Sequence, residues 1–514
     1  MRKLGLVAAF ALTACASSIP APPAGTDADT AAWWRITGEL SSDAMEGRDT
    51  GSIGHAEAAR YVIERFMRAG LKPGGDNGTW VQTIPLQEVR VESEGTEFIL
   101  APDLTERAIH RLRFLHEISV RATDKLPASV DALLSFRGYC SAAEMGADMR
   151  GKIAVCFGAR RTGMTTGAER LRAVSEAGAV GLINVDDPGF TIEPARWPDA
   201  YARTISFRDA APPPNPELPV MRLRAEALAD VFAGSGRDAR AMLALGAASR
   251  PLPSFDLPMR LQATFRTSKR NLLSENVLAM LPGTDPVLKN EVVVVSAHLD
   301  GYGHGEPVDG DGLYNGAFDD AAYVATLIRL AENRAGRGFR RSVLFAAFTG
   351  EEKGLLGANW FTQHPTVPRA ALAADINLDQ LRPLFPLKIL TMHAVNDTTL
   401  GASARAVAAE MGVEIREDRE PERNLNSRAD HYPFLRIGVP ATGFVFGYDP
   451  GTEAERRYRE WYQVRYHRPQ DDMSQPLDFV AARDMNMFFY KLTERVADAD
   501  SRPAFLPGSS FAQR

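Results

Sequence analysis

Three apolar runs in the second half of this chain each stop at a side chain of the kind that binds metal ions, and this constrains the fold more than any other feature. Glu291-Val-Val-Val-Val-Ser-Ala-His298 holds four consecutive valines, a β-branched run that predicts a strand buried on both faces, as in a covered parallel sheet. His298 stands at its end. The run Val343–Thr349 is broken by Gly350 and followed at once by Glu351 and Glu352, and Ala373–Leu378 ends in Asp379. In open α/β sheets ligands bind beyond the carboxyl ends of the strands. Three such endings therefore predict side chains that converge on one site.

Between the first two runs lies a glycine-rich loop, Gly301 to Gly316, and then Ala317-Phe-Asp319-Asp320 ahead of the helical spacing Ala321–Leu330. The two aspartates fall at a helix N-terminus, where the dipole favours carboxylates; an N-cap alone would explain them if they stood apart from the strand-end residues. Imidazole and carboxylate are the donors that zinc accepts, and a zinc pair needs one carboxylate able to bridge both ions. A carboxylate that is not a ligand must then move the proton, and adjacent Glu351 and Glu352 can divide those jobs. Within His298-Leu-Asp300, residues i and i+2 share a face, so Asp300 can hold the second ring nitrogen of His298.

The order His298-Leu-Asp300, Asn315-Gly-Ala-Phe-Asp319-Asp320, Gly350-Glu351-Glu352-Lys-Gly-Leu-Leu-Gly357, Asn377-Leu-Asp379 and Tyr466-His467 resembles the co-catalytic zinc peptidases. That family includes bacterial leucine aminopeptidases, plasma glutamate carboxypeptidase, the folate hydrolase and the transferrin receptor. The resemblance implies an α/β fold, with a mixed, mainly parallel sheet flanked by helices. It also implies two zinc ions per chain: Asp319 bridging, His298 and Asp379 completing one site, Glu352 and His467 the other. Glu351 is then the general base and Asp300 the partner of His298, and a cis peptide is implied between Asp319 and Asp320. His431, in Arg428-Ala-Asp-His431-Tyr-Pro-Phe434, competes with His467 for the last ligand position. In relatives the matching histidine lies near the site without binding zinc, and Ala429 stands where a serine is usual. His304 and His393 match no role and are expected to be exposed or packed.

Peptides are the implied substrates, and removal of N-terminal residues is the expected activity. Related enzymes act as carboxypeptidases or dipeptidases, and one branch cyclises N-terminal glutamine. Two other classes compete: an inert receptor-like binding protein, which would have lost ligands or Glu351, and a zinc scavenger, which would need no base. Neither loss occurs here. Side-chain preference and oligomeric state are not encoded in any motif.

The remaining sequence bounds where this chemistry takes place. Met1-Arg-Lys, the apolar run Leu4–Leu12 and Thr13-Ala-Cys15 form a leader of secretory type, too short to span a bilayer. Leu12-Thr-Ala-Cys15 resembles a bacterial lipobox, so Cys15 is the expected lipid anchor of an outer-membrane lipoprotein facing the periplasm; an ordinary secretory peptide cut near Ala14 or Ala16 is the alternative. The chain's 514 residues, 45% of them hydrophobic, allow two to four domains, and a formal net charge of -6 argues against nucleic acid. The expected organisation is a signal peptide over 1–15, a tether over 16–30, and the first part of the peptidase domain over 31–116. An inserted protease-associated domain follows over 117–252, then the catalytic domain over 253–500 and a disordered tail over 501–514. By analogy the insert would roof the cleft and limit access to short or flexible chains. Cys140 and Cys156 fall within it, either bridged or as two buried thiols. Ser42–Gly51 is similar to the entry segment of the same family and is expected either to pack on the sheet or to shape a loop near the site.

Overall fold

The computed structural model describes residues 19–102, 110–210 and 218–512. The leader and Cys15 lie outside these residues, as does most of the proline-rich stretch Ala211–Pro219. No helix among the described residues is long and apolar enough to cross a membrane.

A mixed sheet forms the centre of the part of the molecule that carries His298. Its parallel block runs, in spatial order, Ala441–Thr442, Leu372–Asn377, Val292–His298 and Ser342–Phe348. Every residue of the last three strands is buried, which is why they read as continuous apolar runs with no alternation. Within this sheet, among the described residues, parallel pairing is confined to this block. Beyond it the sheet continues antiparallel through Thr267–Leu281, Val81–Val91 and Ala202–Phe207. The three block strands carry His298, the Glu351–Glu352 pair and Asp379 to the same edge, because parallel strands end on one side.

Helices cover both faces. Ile53–Arg68 starts where the Ser52 hydroxyl accepts from the His55 N–H, buries Ala58, Val62 and Phe66 on one stripe, and stops before Gly70 at φ +76°. Ala322–Asn333 is buried along nearly its whole length, and the Trp33 indole from Ala28–Leu40 donates to the Ala322 carbonyl. Phe479–Ala497 closes the same side.

A second sheet draws its strands from Glu97–Thr264, a wider span than the expected insert over 117–252. Leu252–Leu257, expected from the sequence as a return linker, instead runs into the strand Ser254–Thr264, which is paired to Glu97–Pro102 on one side and Ser129–Arg137 on the other. Leu257, Met259, Leu261 and Ala263 are its buried positions, and the register shift between Asp256 and Arg260 accommodates Pro258. Ile153–Phe157, Gly181–Val185 and Val220–Leu223 follow in parallel. Cys140 and Cys156 are joined by a disulfide within this domain. One of its strands, Ala202–Phe207, leaves it to pair with Val81–Val91 of the first sheet.

Both expected flexible ends are packed where the structure describes them. Ile19 lies against the main core and the Trp34 indole donates to the Pro20 carbonyl. In the C-terminal segment Phe505 and Phe511 pack against the core under the parallel block, and Phe505 bridges to Thr398. Two phenylalanines bury enough apolar surface to order a segment whose prolines suggest a free tail.

Candidate metal centre

At the carboxyl edge of the parallel block the ligand-type side chains meet. The His298 Nε2 lies 3.4 Å from Asp319 Oδ1, and the His467 Nε2 lies 3.3 Å from Asp319 Oδ2. Asp319 thus places one carboxylate oxygen toward each imidazole. Around it form two overlapping sets: His298, Asp319, Asp320 and Asp379, and Asp319, Glu352 and His467. Glu352 Oε2 is 3.2 Å from His467 Nε2, and Glu351 Oε2 is 4.0 Å from His298 Nε2.

Local backbone explains how each group arrives. Gly316, at φ +61°, admits the Asp319 carbonyl where a Cβ would stand 2.4 Å from it, so only glycine fits the turn that delivers Asp319. The Asp319–Asp320 peptide is cis. Gly350 at φ +67° ends the second block strand and turns Glu351 and Glu352 toward the site. His467 itself has φ +54°, a conformation uncommon outside glycine that occurs where function fixes a side chain's aim.

Charge at the site is unbalanced. Asp319, Asp320, Glu351, Glu352 and Asp379 face two imidazoles and one buried guanidinium, Arg382, 3.8 Å from Asp319. Burial pushes Asp320, Glu351 and Asp379 above the usual carboxylate range, and neighbouring carboxylates add to it. Burial opposes ionisation of Asp319 as well, but His298 and His467 outweigh it and hold that carboxyl well below its ordinary value. The same carboxylates raise both histidines against the effect of burial. Meanwhile His298 Nε2, Asp319 Oδ2, Glu352 Oε1 and Asp379 Oδ2 are buried with no protein hydrogen-bond partner. Buried polar atoms are ordinarily satisfied, so inward-facing orphans of nitrogen and oxygen type fit a pair of divalent cations.

Residues 276–492 match the sequence profile of Peptidase family M28. The chain carries a peptidase family M28 domain. Leupeptin-inactivating enzyme 1 of Streptomyces exfoliatus is 25% identical over 225 residues, 42% of this chain and 47% of that protein. A probable zinc metalloprotease of Pyrenophora tritici-repentis is 29% identical over 234 residues, 40% and 52% respectively. The chain spans about half the length of these curated relatives. The solved aminopeptidase from Aneurinibacillus sp. strain AM-1 has the same fold, with a TM-score of 0.61 at 18% identity, covering 93% of this chain and 95% of that one.

Within the M28 domain the expected partner of His298 is arranged differently from expectation. His298 Nδ1 is 3.0 Å from the backbone carbonyl of Asp300, while the Asp300 carboxylate stands 3.7 Å away. That carboxylate instead accepts from the Glu351 N–H and the Thr50 hydroxyl, so it positions the turn that carries Glu351. His431 belongs to neither set: it stacks on His393 and its Nε2 meets Asn426 Oδ1 at 3.0 Å. His393 is packed in the interior, and His304 lies on the exposed side of a hairpin.

Several supports were invisible in the motifs. Tyr302 places its hydroxyl 2.8 Å from His467 Nδ1, with its ring stacked between Tyr201 and Tyr314 and the Lys353 ammonium 4.6 Å over it. It gives His467 the orienting contact that metal-binding imidazoles require. Arg48, from the entry segment, is fully buried and donates to the carbonyls of Leu40, Leu299, Asn315 and Gly316. The segment therefore packs, and what it packs against are the two loops that bear His298 and Asp319.

Proposed function

We propose that this protein is a di-zinc metallopeptidase that removes N-terminal residues from peptides. His298 and Asp379 would hold one ion, Glu352 and His467 the other, and Asp319 would be shared between them. Bound there, zinc supplies Lewis acidity that polarises the scissile carbonyl and lowers the pKa of water. The observation that carries the reading is the Asp319 carboxylate with one oxygen facing each imidazole.

The chain's own residues then manage protons and geometry. Glu351 groups with His298 and Glu352 but joins neither set that contains Asp319. Burial and the nearby carboxylates raise its affinity for a proton, which suits a group that takes a proton from the attacking water at its carboxylate and returns it to the leaving amine. Asp300 fixes the backbone from which Glu351 projects. Tyr302 and the Asp300 carbonyl hold the two imidazole rings by their outer nitrogens, so Nε2 of each faces inward. Ligands and base are all present, which favours an enzyme over an inert receptor or a scavenger.

Glu351→Gln is expected to lower turnover at least ~100-fold with zinc content unchanged, because it removes proton transfer without removing a ligand. Unchanged turnover would exclude the mechanism. A panel of free-amine and N-blocked aminoacyl substrates decides the end specificity: cleavage of N-blocked peptides from the other terminus would replace aminopeptidase by carboxypeptidase.

The disulfide supports export to an oxidising compartment. Lipidation at Cys15 is the proposed anchor, tested by labelling cells with a fatty-acid analogue and by its loss in Cys15→Ser.

A further inference from the structure

A cavity of about 700 Å³ opens between the second domain and the metal cleft, with Tyr302, His467 and Arg468 among its lining residues. Its size is that of a small-ligand site. Seven arginines and four carboxylates line it; of the arginines, Arg203 is satisfied by Asp49 and Glu88, which lie outside the lining. Asp186 and Asp199 are taken by Arg222 at 2.7 and 2.8 Å. Asp187 is taken by Arg161 at 2.7 Å. Glu193 remains, and it is nearest to Arg428 at 2.9 Å, leaving Arg160 at 3.9 Å and Arg196 at 3.8 Å.

Three further guanidiniums of the lining, Arg121, Arg170 and Arg468, have no carboxylate within ion-pair distance among the described residues. Arg468 donates to the Pro198 carbonyl, and Arg170 to the carbonyls of Phe157 and Thr165. Arg170 is 5% exposed and its Nε has no hydrogen-bond partner. Arg160 is pushed below its ordinary value by burial and by Arg428, Arg196 and Arg222, with Glu193 opposing. Guanidiniums crowded in a cavity without enough carboxylate form a receptor for a planar anion.

We propose that this cavity is a carboxylate subsite: Arg160, Arg196 and Arg468 receive the C-terminal carboxylate or an acidic side chain of a short peptide whose scissile bond lies at the metal cleft. The proposal rests on the peptidase reading for its link to turnover. The cavity reaches the cleft through Tyr302 and His467, so one peptide can contact both. Substrate preference then follows from the roof as well as from the cleft.

The experiment compares Leu-Gly-Gly as free acid and as C-terminal amide, and Leu-Glu-amide with Leu-Gln-amide, on the zinc-loaded full chain. The carboxylate-bearing member of a pair is expected to have a kcat/KM at least about tenfold higher, the effect of one charge-assisted contact. In Arg160→Gln/Arg196→Gln the acid-to-amide ratio is expected to fall toward one. Preference in the first pair assigns the C-terminal carboxylate, preference in the second assigns a side chain, and either supports the subsite. A ratio near one in the unmodified protein overturns it, whether or not the variant folds, and so does a ratio that survives in the variant. Should no peptide be cleaved, the peptidase reading fails on its own, and calorimetric titration of the same pairs decides the subsite. Tighter binding of the acid keeps it; equal binding overturns it.

Discussion

The metal cleft and the cavity above it share Tyr302 and His467 yet are unbalanced in opposite directions. In the cleft, carboxylates outnumber their counter-charges and point unsatisfied oxygens inward. In the cavity, guanidiniums outnumber theirs. Burying either kind of charge without a partner is unfavourable, so the two proposals give each region an occupant that is not protein: cations below, an anion above. The cleft builds much of its imbalance just beyond the ends of buried strands. The cavity draws its arginines from loops, a helix and strands of the second domain and, with Arg468, from beside His467.

The sharpest way to break the comparison is to remove the shared carboxylate. Asp319→Ala is expected to lower turnover by about 10³-fold or more, release metal and lower thermal stability, since metal binding favours the folded state; elemental analysis and a melting curve check both. Retention of both zinc ions in that variant would refute the bridging role.

A second test separates the acid limit of the scaffold from that of the cleft. Burial holds His55 and His393 at about 4, and nearby Arg48 and Arg423 add to it. With the folded value below the unfolded 6.5, the unfolded chain takes up the proton first. Each histidine's contribution is therefore complete above pH 6.5 and lost as pH falls toward 4, by about 3 kcal/mol at the lower end. Denaturant titrations at pH 7 and pH 5 should show a loss that is smaller in His55→Gln, with equal losses counting against the assignment.

Tyr302 is the seam between the two regions. Tyr302→Phe is expected to weaken one of two zinc sites about tenfold and leave the other unchanged, read by competitive metal titration and by the absorption spectrum of the cobalt-substituted protein. Identical affinities in both sites would reduce Tyr302 to packing. The smallest effect is ionic: raising salt from about 0.05 to about 0.5 M should lower the acid-to-amide preference about threefold, because a partly open anion site is screened, and a salt-independent preference would point away from the arginines.

Much of the cleft was legible because each element has its own local signature. The valine run, the glycine break before Glu351 and the aspartate pair before a helical spacing are short-range patterns, and parallel strands need only share a direction to bring their ends together. Tyr302, Arg382 and Arg48 carry no such signature. Each is a single residue in an irregular segment, and its importance lies in what the tertiary fold sets beside it. The limits of the second domain were hidden for a related reason. Leu252–Leu257 reads as a linker, whereas the chain is already strand from Ser254 and the sheet absorbs the following Pro258 in a bulge. The cavity arginines come from segments far apart in sequence, so their shared surroundings exist only once Ala202–Phe207 is in place.

That strand has a mechanical consequence. Leu86–Val91 and Ala202–Phe207 are joined in register, rung by rung, and Arg203 is clamped by Asp49 and Glu88 at the same seam. The canopy is thereby riveted to the floor, so it cannot swing aside without unzipping a ladder. Parting the two therefore means breaking backbone hydrogen bonds of that ladder together with both ion pairs of Arg203.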